Sequence, residues 1–427
     1  DTPILTVYVG YCHPSVAIFF DYQRAGNKKF STADIYRDPS AWYNVVVAVY
    51  TTYGTADDRV KMWVNCISQT LIQSNGALAE NSETNFGNAG DDITATSPDS
   101  GNFIHNINTY YNSYENDRNM DGYFADLNFH SGVVGTYLNF GEFNDNGVWI
   151  PKEPTLAYNA YSYRLEFKQT GTSANASGIG ADTSGSTNHF AIGQDSGTAA
   201  TDITTDTPTN NFCTMNPLHN QHADSTFSEG NLQVATTTAA YTSNTGTVGV
   251  SSGKWYYECK NVGAGASNQH RFGFDAQMAT GNNQSPGLLN PSIAYKFEGN
   301  YALNGSNVTD SDYSATSVGD IVGVAIDVDN NKFWVRNSSG YFDGDPADGS
   351  GGIDISAPTA NNGIGFYLPS YGDQHDGEGG FIGGFNFGNP FFAISSGNAD
   401  GNGYGNFEFA VPSGYYALCT KNLAEFG

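Results

Sequence analysis

Basic residues are scarce in this chain. Its 427 residues include 17 lysines and arginines against 43 aspartates and glutamates, which gives a formal net charge of −26. A surface so acidic repels the phosphates of DNA and RNA, so we expect no nucleic-acid partner. Long apolar runs are also missing, and none approaches the ~20 residues that a membrane-spanning helix needs. We therefore expect no insertion into a membrane.

Cysteine is sparse, and its spacing excludes two classes of site. The five cysteines are far apart in the sequence, and they are Cys12, Cys66, Cys213, Cys259 and Cys419. None belongs to a Cys-x-x-Cys pair or to a Cys/His pattern with the spacing of a zinc site. An odd number at such distances also does not indicate a disulfide framework. We expect mostly buried, free thiols.

What the chain has in abundance is aromatic residues and glycine. Aromatic residues make up 14% of the sequence, and glycine occurs 51 times. Together with many Asn, Ser and Thr, this composition favours short strands joined by turns over helices. Residues 251–259 alternate between polar and aromatic positions, as a half-buried strand does. Residues 319–335 read as a strand, an Asp/Asn turn and a second strand, which predicts a hairpin. The predicted fold class is all-β.

Strand patterns divide the sequence into three parts. In the first, residues 42–50, 58–65 and 121–129 have strand patterns, and the polar residues 68–102 read as a long loop. Residues 153–205 are rich in Gly, Ser, Thr and Asp and read as a linker, with 163–167 as one further strand. A second strand-rich part follows. We therefore predict a domain at 1–152, a linker at 153–205 and a domain at 206–427, each domain an antiparallel β-sandwich.

The second predicted domain resembles the SPRY family. The resemblance depends on GKWYYE at 253–258, RFGF at 271–274, GDIVGVAID at 319–327 and KFWV at 332–335, in that order. FNFG at 385–388 and PSGY at 412–415 fit the closing strands of that family. The resemblance implies a SPRY-like β-sandwich, whose loops would recognise other proteins.

The first predicted domain resembles a laminin-G or concanavalin A-like lectin sandwich of jelly-roll type. This resemblance depends on RDPSAWY at 37–43, DRVKMWVN at 58–65 and DGYFAD at 121–126. Further motifs precede the SPRY-like part, namely FGEF at 140–143, GVWIPK at 147–152, GADTSG at 180–185 and DTPTNNF at 206–212. The whole series resembles a group of marine bacteriophage structural proteins. It implies a tail fibre, spike or head fibre on the virion surface.

A loop of the first domain has the composition of a ligand-binding surface. Its candidate ligand-binding residues are Asn106, Asn108, Tyr110, Tyr111, Asn112 and Tyr114. Tyrosine rings can stack on the CH faces of sugars, while asparagine amides hydrogen-bond to hydroxyl groups. Tyr- and Asn-rich loops also form adaptable protein-binding surfaces. The alternative is an ordinary polar loop in a chain that is rich in both residues.

Calcium is the one metal that the sequence suggests, and no other cofactor is predicted. Asp343, Asp345 and Asp348 offer carboxylates at close spacing, as the six to eight oxygen ligands of Ca²⁺ require. The segment does not match a complete EF-hand loop, so a plain polar turn is the alternative. Asp327 to Asn331, by contrast, is better explained by the hairpin turn.

No catalytic group can be assigned. Carboxylate pairs such as Glu142 with Asp145, or Glu258 with Asp275, could be proposed for glycoside hydrolysis, but any acidic chain offers such pairs. A concanavalin-like sandwich can host a glycosidase, yet a fold by itself does not imply an enzyme. The five tryptophans lie in strand patterns, where packing in a core is their expected role. We predict a protein that is not an enzyme.

The function that this sequence favours is structural and adhesive. The leading hypothesis is a phage virion protein, namely a tail fibre, spike or head fibre, that presents a lectin-like surface to a host glycan as a homo-oligomer such as a trimer. A second hypothesis is a capsid decoration or architectural protein that binds other virion proteins. A third is a secreted carbohydrate-binding module or a glycosidase.

Overall fold

The computed structural model describes most of the chain and divides it into two compact units. The described residues are 5–12, 15–22, 28–36, 41–74, 76–81, 123–133, 135–144, 147, 149–192, 203–221, 225–236, 241–265, 268–281, 284–359, 363–374 and 380–427. Unit 1 comprises residues 1–203 and unit 2 comprises residues 204–427. Both units consist of short strands joined by turns, so the prediction of an all-β, antiparallel protein is confirmed.

The described part of unit 1 contains eleven strands and two short 3-10 helices. The strands are β1 (Leu5–Cys12), β2 (Ser15–Tyr22), β3 (Lys28–Thr32), β4 (Val45–Val49), β5 (Val60–Val64), β6 (Ile67–Ser68), β7 (Leu71–Ser74), β8 (Leu127–Phe129), β9 (Gly141–Phe143), β10 (Trp149–Pro151) and β11 (Tyr163–Leu165). The 3-10 helices are Ala56–Asp58 and Tyr137–Asn139.

These strands form four small sheets. The sheet orders are β1-β2-β3-β7, β4-β5-β6, β8-β11 and β9-β10. On β5 the alternation of the sequence is preserved, because Val60, Met62 and Val64 are buried while Lys61 and Trp63 are half-buried. The buried side chains join Phe30 of β3 and Leu78 in one core cluster. Unit 1 is thus held by a core between two of its sheets.

One sequence prediction for unit 1 needs correction. The segment 68–102 was expected to be a loop, but it contains β7, which pairs with β3; residues 82–102 lie outside the described part. A strand of four residues carries too little hydrophobic pattern to be detected from sequence. The strand expected at 163–167 within the predicted linker is present as β11, which pairs with β8 through Tyr163 and Leu165, both buried.

The described part of unit 2 contains sixteen strands and one α-helix. They are β12 (Met215–Gln221), β13 (Thr226–Ser228), β14 (Gln233–Ala235), β15 (Ser243–Gly246), β16 (Lys254–Ala264), β17 (His270–Asp275), β18 (Ser292–Lys296), β19 (Asn300–Leu303), β20 (Ser306–Val308), β21 (Ile321–Asp327), β22 (Lys332–Asn337), β23 (Gly340–Tyr341), β24 (Ile353–Asp354), β25 (Leu368–Asp373), β26 (Phe381–Asn386), β27 (Tyr416–Ala417) and α1 (Thr420–Phe426).

Unit 2 is a sandwich of two sheets. The seven-stranded sheet has the order β12-β15-β25-β17-β18-β19-β20. The nine-stranded sheet has the order β13-β14-β26-β16-β21-β22-β23, with β24 paired to β22 and β27 paired to β16. The predicted hairpin is the β21–β22 pair, where the Asp327 carboxylate accepts a hydrogen bond from the Asn330 amide at 2.9 Å.

One face of each sheet builds a common core. Tyr257 and Cys259 of β16 meet Phe272 and Phe274 of β17, and all four side chains are completely buried. Tyr257 lies edge-on to Phe272 and Phe274, with ring centroids 5.8 and 5.3 Å apart. Aromatic residues bury large areas and add about 1 kcal/mol for each such pair. Twelve aromatic residues are buried in this core, so part of the aromatic composition serves to build it.

The other face of the nine-stranded sheet is covered by the C-terminal segment, residues 398–427. Tyr256 and Trp334 project to this face and pack with Phe407, Tyr415 and Cys419 of the segment. The Trp334 indole also donates to the Ser350 carbonyl at 2.9 Å. Helix α1, which no sequence pattern predicted, ends the segment. None of the described helices is both long and apolar enough to span a membrane.

The described cysteines are free thiols, as predicted. Cys213, Cys259 and Cys419 are buried, and Cys66 is half-buried. Burial raises the pKa of the Cys213 thiol to about 11 and raises the pKa of Cys259 well above its usual value. A thiol with so high a pKa is a poor nucleophile, so these residues act as small apolar side chains.

A buried carboxyl makes the stability of unit 2 depend on pH. Asp275 on β17 is fully buried and accepts a hydrogen bond from the Gly287 amide at 3.2 Å. Burial raises the pKa of this carboxyl from 3.8 to about 7. Between these values the folded state holds a proton that the unfolded chain has released. The stability contributed by this group is therefore complete below about pH 4 and lost as the pH rises through about 7.

Asp275→Asn should therefore raise the melting temperature at pH 8, by about 4 °C, and this gain should shrink steadily as the pH falls toward 4. Asp327→Asn is the matched control with the opposite sign. Burial raises the pKa of Asp327, but hydrogen bonds from Asn330 and Lys254 outweigh it and lower the pKa overall. This variant should be less stable than the wild type at pH 8. Thermal unfolding from pH 5 to 8 measures both, and parallel profiles for the two variants would refute the assignment.

Candidate functional site

The predicted ligand-binding loop lies outside the described residues. It comprises Asn106, Asn108, Tyr110, Tyr111, Asn112 and Tyr114, all within the range 82–122 that the structure does not describe. These residues stay a prediction from composition, and the search for a binding surface turns to the described residues.

The three aspartates proposed for calcium form a turn in unit 2. Asp343 accepts a hydrogen bond from the Gly352 amide at 3.0 Å, Asp345 from the Ala347 amide at 2.9 Å, and Asp348 from the Ser350 amide at 2.9 Å. The hydrogen bonds from Ser350 lower the pKa of the Asp348 carboxyl. Among the described residues, no group of three or more His, Cys, Asp or Glu side chains could hold a metal ion. The geometry supports the alternative of a polar turn, and calcium stays a prediction.

The tryptophans fall into two groups that the sequence did not distinguish. Trp255 and Trp334 of unit 2 are buried in packed clusters, as expected. Trp42, Trp63 and Trp149 of unit 1 are only half-buried. A tryptophan that is not fully buried leaves part of a large apolar ring in contact with water, which is unfavourable. Exposed aromatic patches often mark binding sites.

Trp63 and Trp149 belong to a line of four aromatic side chains, which we call the aromatic ribbon (Trp63, Tyr137, Trp149 and Phe143). Successive ring centroids are 5.9 Å apart from Trp63 to Tyr137, 5.6 Å from Tyr137 to Trp149, and 5.2 Å from Trp149 to Phe143. The ring of Phe143 is 55% exposed. Adjacent Leu138 is also exposed, at 53%. The ribbon is therefore a continuous apolar strip that water reaches.

Three separate elements position the ribbon. Trp63 projects from β5 on the side opposite Met62 and Val64, which face the core. Tyr137 begins the 3-10 helix Tyr137–Asn139. Thr136 and Asn139 form a capping box at the N-terminus of this helix. Phe143 and Trp149 are directly opposite each other in the β9–β10 pair, so their side chains lie on one face.

Gly141 allows the Trp149 indole to lie close to the backbone. A Cβ atom placed on Gly141 would be 2.3 Å from the Trp149 ring and 2.9 Å from the Ile150 carbonyl oxygen. Any larger residue must therefore move the indole. The Trp149 Nε1–H is buried and has no hydrogen-bond partner. A buried donor that stays unpaired is unfavourable.

A second layer of side chains supports the segment that carries the ribbon. His130 stacks against Tyr158 with ring centroids 4.4 Å apart and against Phe140 at 5.7 Å. Burial lowers the pKa of His130, although a hydrogen bond to the Ala157 carbonyl opposes this. The ring is therefore neutral at physiological pH. Burial raises the pKa of Tyr158 to about 12, and its hydroxyl donates to Asn128 at 2.6 Å.

Arg164 ties the surrounding strands together. Its guanidinium donates to Asp126 at 2.7 Å and to Glu153 at 2.9 Å, and lies 3.7 Å from Glu166. Asp126 precedes β8, and Glu153 follows β10, so one side chain links both ends of the segment. Such a network fixes the positions of the ribbon's side chains more firmly than an isolated surface ion pair would.

The chemistry of the ribbon suits binding rather than catalysis. The nearest charged pair is Lys152 with Glu142, whose Nζ and Oε2 are 3.6 Å apart. Aromatic faces can pack against the CH groups of a sugar, and the indole N–H can donate to a hydroxyl group. Asp145, the suggested partner of Glu142, lies outside the described residues. Glu258 and Asp275 point to the outer faces of different sheets and do not form a catalytic pair.

In comparisons with known proteins, this chain is similar to solved structures only. No family model matches the sequence, and no curated protein does. The chain is similar to the SPRY domain of human HERC1, at 12% identity and a TM-score of 0.30, over 40% of this chain and 96% of that domain. It is similar to a human SPRY domain at 16% identity and a TM-score of 0.26, over 42% of this chain and 98% of that domain.

Both of these structures are SPRY domains, the family that the motifs at 253–335 resemble. Their TM-scores carry no argument about function, and the description of unit 2 as a two-sheet sandwich depends on its strand order alone. Neither comparison concerns a laminin-G domain or a bacteriophage protein, so those two resemblances remain predictions from the sequence.

Sequence reasoning missed the aromatic ribbon for an identifiable reason. Trp149 and Phe143 lie in three-residue strands, and Tyr137 lies in a 3-10 turn, so no periodic pattern showed which way each ring points. One signal was present, because Gly141 and Trp149 both occur in the motifs at 140–152. Sequence spacing alone cannot show that the indole lies over that glycine.

Proposed function

We propose that this chain is a phage virion surface protein, without catalysis of its own, that binds a host glycan through the aromatic ribbon of unit 1. The virion could carry it as a tail fibre, spike or head fibre. Its partners would be the host glycan and other virion proteins, and it would act as a homo-oligomer such as a trimer. The third hypothesis, a secreted carbohydrate-binding module, shares the same binding surface.

Glycan binding is supported by the partial exposure of the aromatic side chains of the ribbon. Trp149 combines a partly exposed ring with an N–H that is buried and has no partner. A sugar offers apolar CH faces to the ring, and a shift of the indole on binding would bring the N–H to a hydroxyl oxygen. Burying one such ring against a ligand contributes about 2 kcal/mol from area alone. Several rings in a line could therefore bind an extended oligosaccharide.

The virion part is supported by the ordered series of motifs. Segments at 140–152, 180–185 and 206–212 precede the SPRY-like motifs in the order found in the phage group that the chain resembles. An acidic surface also suits a protein that must stay soluble outside cells. The architectural alternative has its own support, since the SPRY-like part would bind proteins through its loops.

Immunogold electron microscopy of purified particles tests the virion part. An antibody against residues 206–423 should label a tail tip or the end of a fibre. Label spread over the capsid would favour the decoration protein instead. Particles without label would reject the virion location and leave the secreted module, whose glycan binding can be measured separately on an array.

A further inference from the structure

Arg271 is a completely buried cation on the outer face of unit 2. Its neighbours His270 and Phe272 on β17 face the sandwich core, so Arg271 projects from the opposite side of the seven-stranded sheet. Its side chain is 0% exposed. A buried guanidinium is costly unless hydrogen bonds and an opposite charge compensate it.

The hydrogen-bond partners of Arg271 are all neutral oxygen atoms. The guanidinium donates to the Pro286 carbonyl at 3.4 Å, to the Asn307 amide oxygen at 3.4 Å, and to the Gln374 amide oxygen. Two of these contacts are long for hydrogen bonds. The Nε–H has no partner. The site therefore supplies hydrogen bonds to the guanidinium without a directly bonded carboxylate in the described residues.

Three carboxylates oppose the effect of burial on the pKa of Arg271 through their charge, but each of them is bonded to another group. Glu298 pairs with Lys296, Asp373 accepts a hydrogen bond from the Thr242 hydroxyl at 3.1 Å, and Asp275 accepts from Gly287. Burial lowers the pKa of Arg271 to about 10, while these three carboxylates act in the opposite direction. Arg271 is thus charged at neutral pH, and its charge is compensated only at a distance.

The two amides form the surface layer over this cation. Asn307 of β20 is exposed, and Gln374 after β25 is half-exposed. The Asn307 amide nitrogen donates to the Gln374 oxygen at 3.3 Å. Both side chains reach the surface, so a change of their rotamers would uncover the guanidinium for a ligand. A rotated amide would then present its NH₂ group to a bound acceptor.

We propose that Arg271, with Asn307 and Gln374, forms a binding site for a single oxyanion group, a sulfate or a carboxylate. The anion would replace the two amide oxygens and accept hydrogen bonds from the guanidinium and from the rotated amides. The free Nε–H beside the NH2 nitrogen completes the two-donor edge with which arginine binds oxyanions. A charged acceptor bonds about twice as strongly as a neutral one, which favours the exchange. The net charge of −26 disfavours a polyanion, so one isolated group fits best.

Thermal unfolding of the full chain in sodium sulfate, sodium acetate and sodium chloride, at matched ionic strength, tests this site. Sulfate and acetate should raise the melting temperature of unit 2 in a saturable way, by about 3 °C, relative to chloride. Arg271→Met should remove the response. Arg336→Met is the matched control, because Arg336 is held between the rings of Tyr341 and Phe409. That variant should keep the response.

Asn307→Asp gives a second test that does not depend on removing the arginine. It places a carboxylate beside Arg271, so it should raise the melting temperature without added anion and abolish the response to sulfate. Ser306→Asp adds the same charge at the adjacent position of β20, whose side chain points to the other face, and should do neither. A response to sulfate that never saturates and persists in Arg271→Met would be a general salt effect and would overturn the proposal. Destabilisation by Asn307→Asp would overturn it as well.

A comparison of dextran sulfate with dextran separates two sources of the group. A response to the sulfated polymer matching that to free sulfate would show that the site accepts a group carried on a polysaccharide. A response to the free ion alone would limit the site to small anions. Neither result bears on the aromatic ribbon, which lies in unit 1.

Discussion

Glu258→Ala is expected to release the C-terminal segment from unit 2 and to lower the free energy of unfolding by more than about 4 kcal/mol. The Glu258 side chain is fully buried under this segment. Its Oε1 accepts hydrogen bonds from the Tyr256 hydroxyl at 3.0 Å and the Phe409 amide at 2.8 Å. Its Oε2 accepts from the Asn386 amide at 2.9 Å and the Glu408 amide at 2.9 Å.

The size of the effect follows from what the substitution leaves behind. Two backbone N–H groups of the segment and the Tyr256 hydroxyl would lose this acceptor in a place that water does not reach, while the Asn386 amide would keep only the Asn406 carbonyl. Each buried, unsatisfied donor costs about 1–3 kcal/mol. Glu258→Gln should be less severe, because one oxygen remains, but one backbone N–H is unpaired in either orientation of the new amide.

Thermal unfolding and amide hydrogen exchange together test whether Glu258 holds the C-terminal segment. The melting temperature of unit 2 should fall by about 10 °C or more in Glu258→Ala. Exchange at Glu408, Phe409 and the rest of the segment should accelerate in both variants. Glu408→Gln is the control, since that carboxylate bonds mainly to Ser395 at the surface and should cost less than about 1 kcal/mol. Unchanged exchange in the segment would show that Glu258 does not hold it.

Trp149→Ala is expected to abolish glycan binding by unit 1, with a loss of affinity of about 30-fold or more, as for a central aromatic residue of a binding surface. The indole joins Tyr137 and Phe143, and no other member of the ribbon contacts both. Its removal would interrupt the ribbon and would delete the unpaired N–H donor. Because the ring is only half-buried, the fold should lose less stability than it would from a buried tryptophan.

Gly141→Ala tests the role of the Trp149 indole in glycan binding without deleting the ring. The new methyl group would overlap the indole, so Trp149 must move, and binding should weaken although all four ribbon residues are present. Trp42→Ala is the matched control, because Trp42 is also half-buried but stacks with Tyr123 outside the ribbon. Titration with an oligosaccharide that the wild type binds compares the three variants. Equal loss in Trp42→Ala and Trp149→Ala would indicate general unfolding rather than a site.

The sequence predicted the core of unit 2 well because its strands are long and strongly patterned. Tyr257 and Cys259 alternate with Tyr256 and Glu258, so the two faces of β16 could be inferred from residue type. What could not be inferred is that both faces are buried. Glu258 looked like a surface residue, since a buried carboxylate is recognisable only when the segment that covers it, more than 140 residues later, is known.

In unit 1 the sequence predicted the existence of strands better than their pairing. β5 was predicted from its alternation, but β9, β10 and β11 have three residues each and owe their position to partners distant in sequence. The ribbon depends on those partners. The proposed calcium aspartates show another limit of sequence reasoning, because closely spaced carboxylates do not reveal that Asp345 and Asp348 each accept a backbone N–H of their own turn.

Binding of the purified full chain to a glycan array, side by side with Trp149→Ala and Trp42→Ala, tests the central claim most directly. We predict that the wild type and Trp42→Ala bind the same set of glycans and that Trp149→Ala binds none of them. Wild-type protein that binds no glycan, or a Trp149→Ala variant that binds the same set, would contradict the assignment of the aromatic ribbon as a glycan-binding surface.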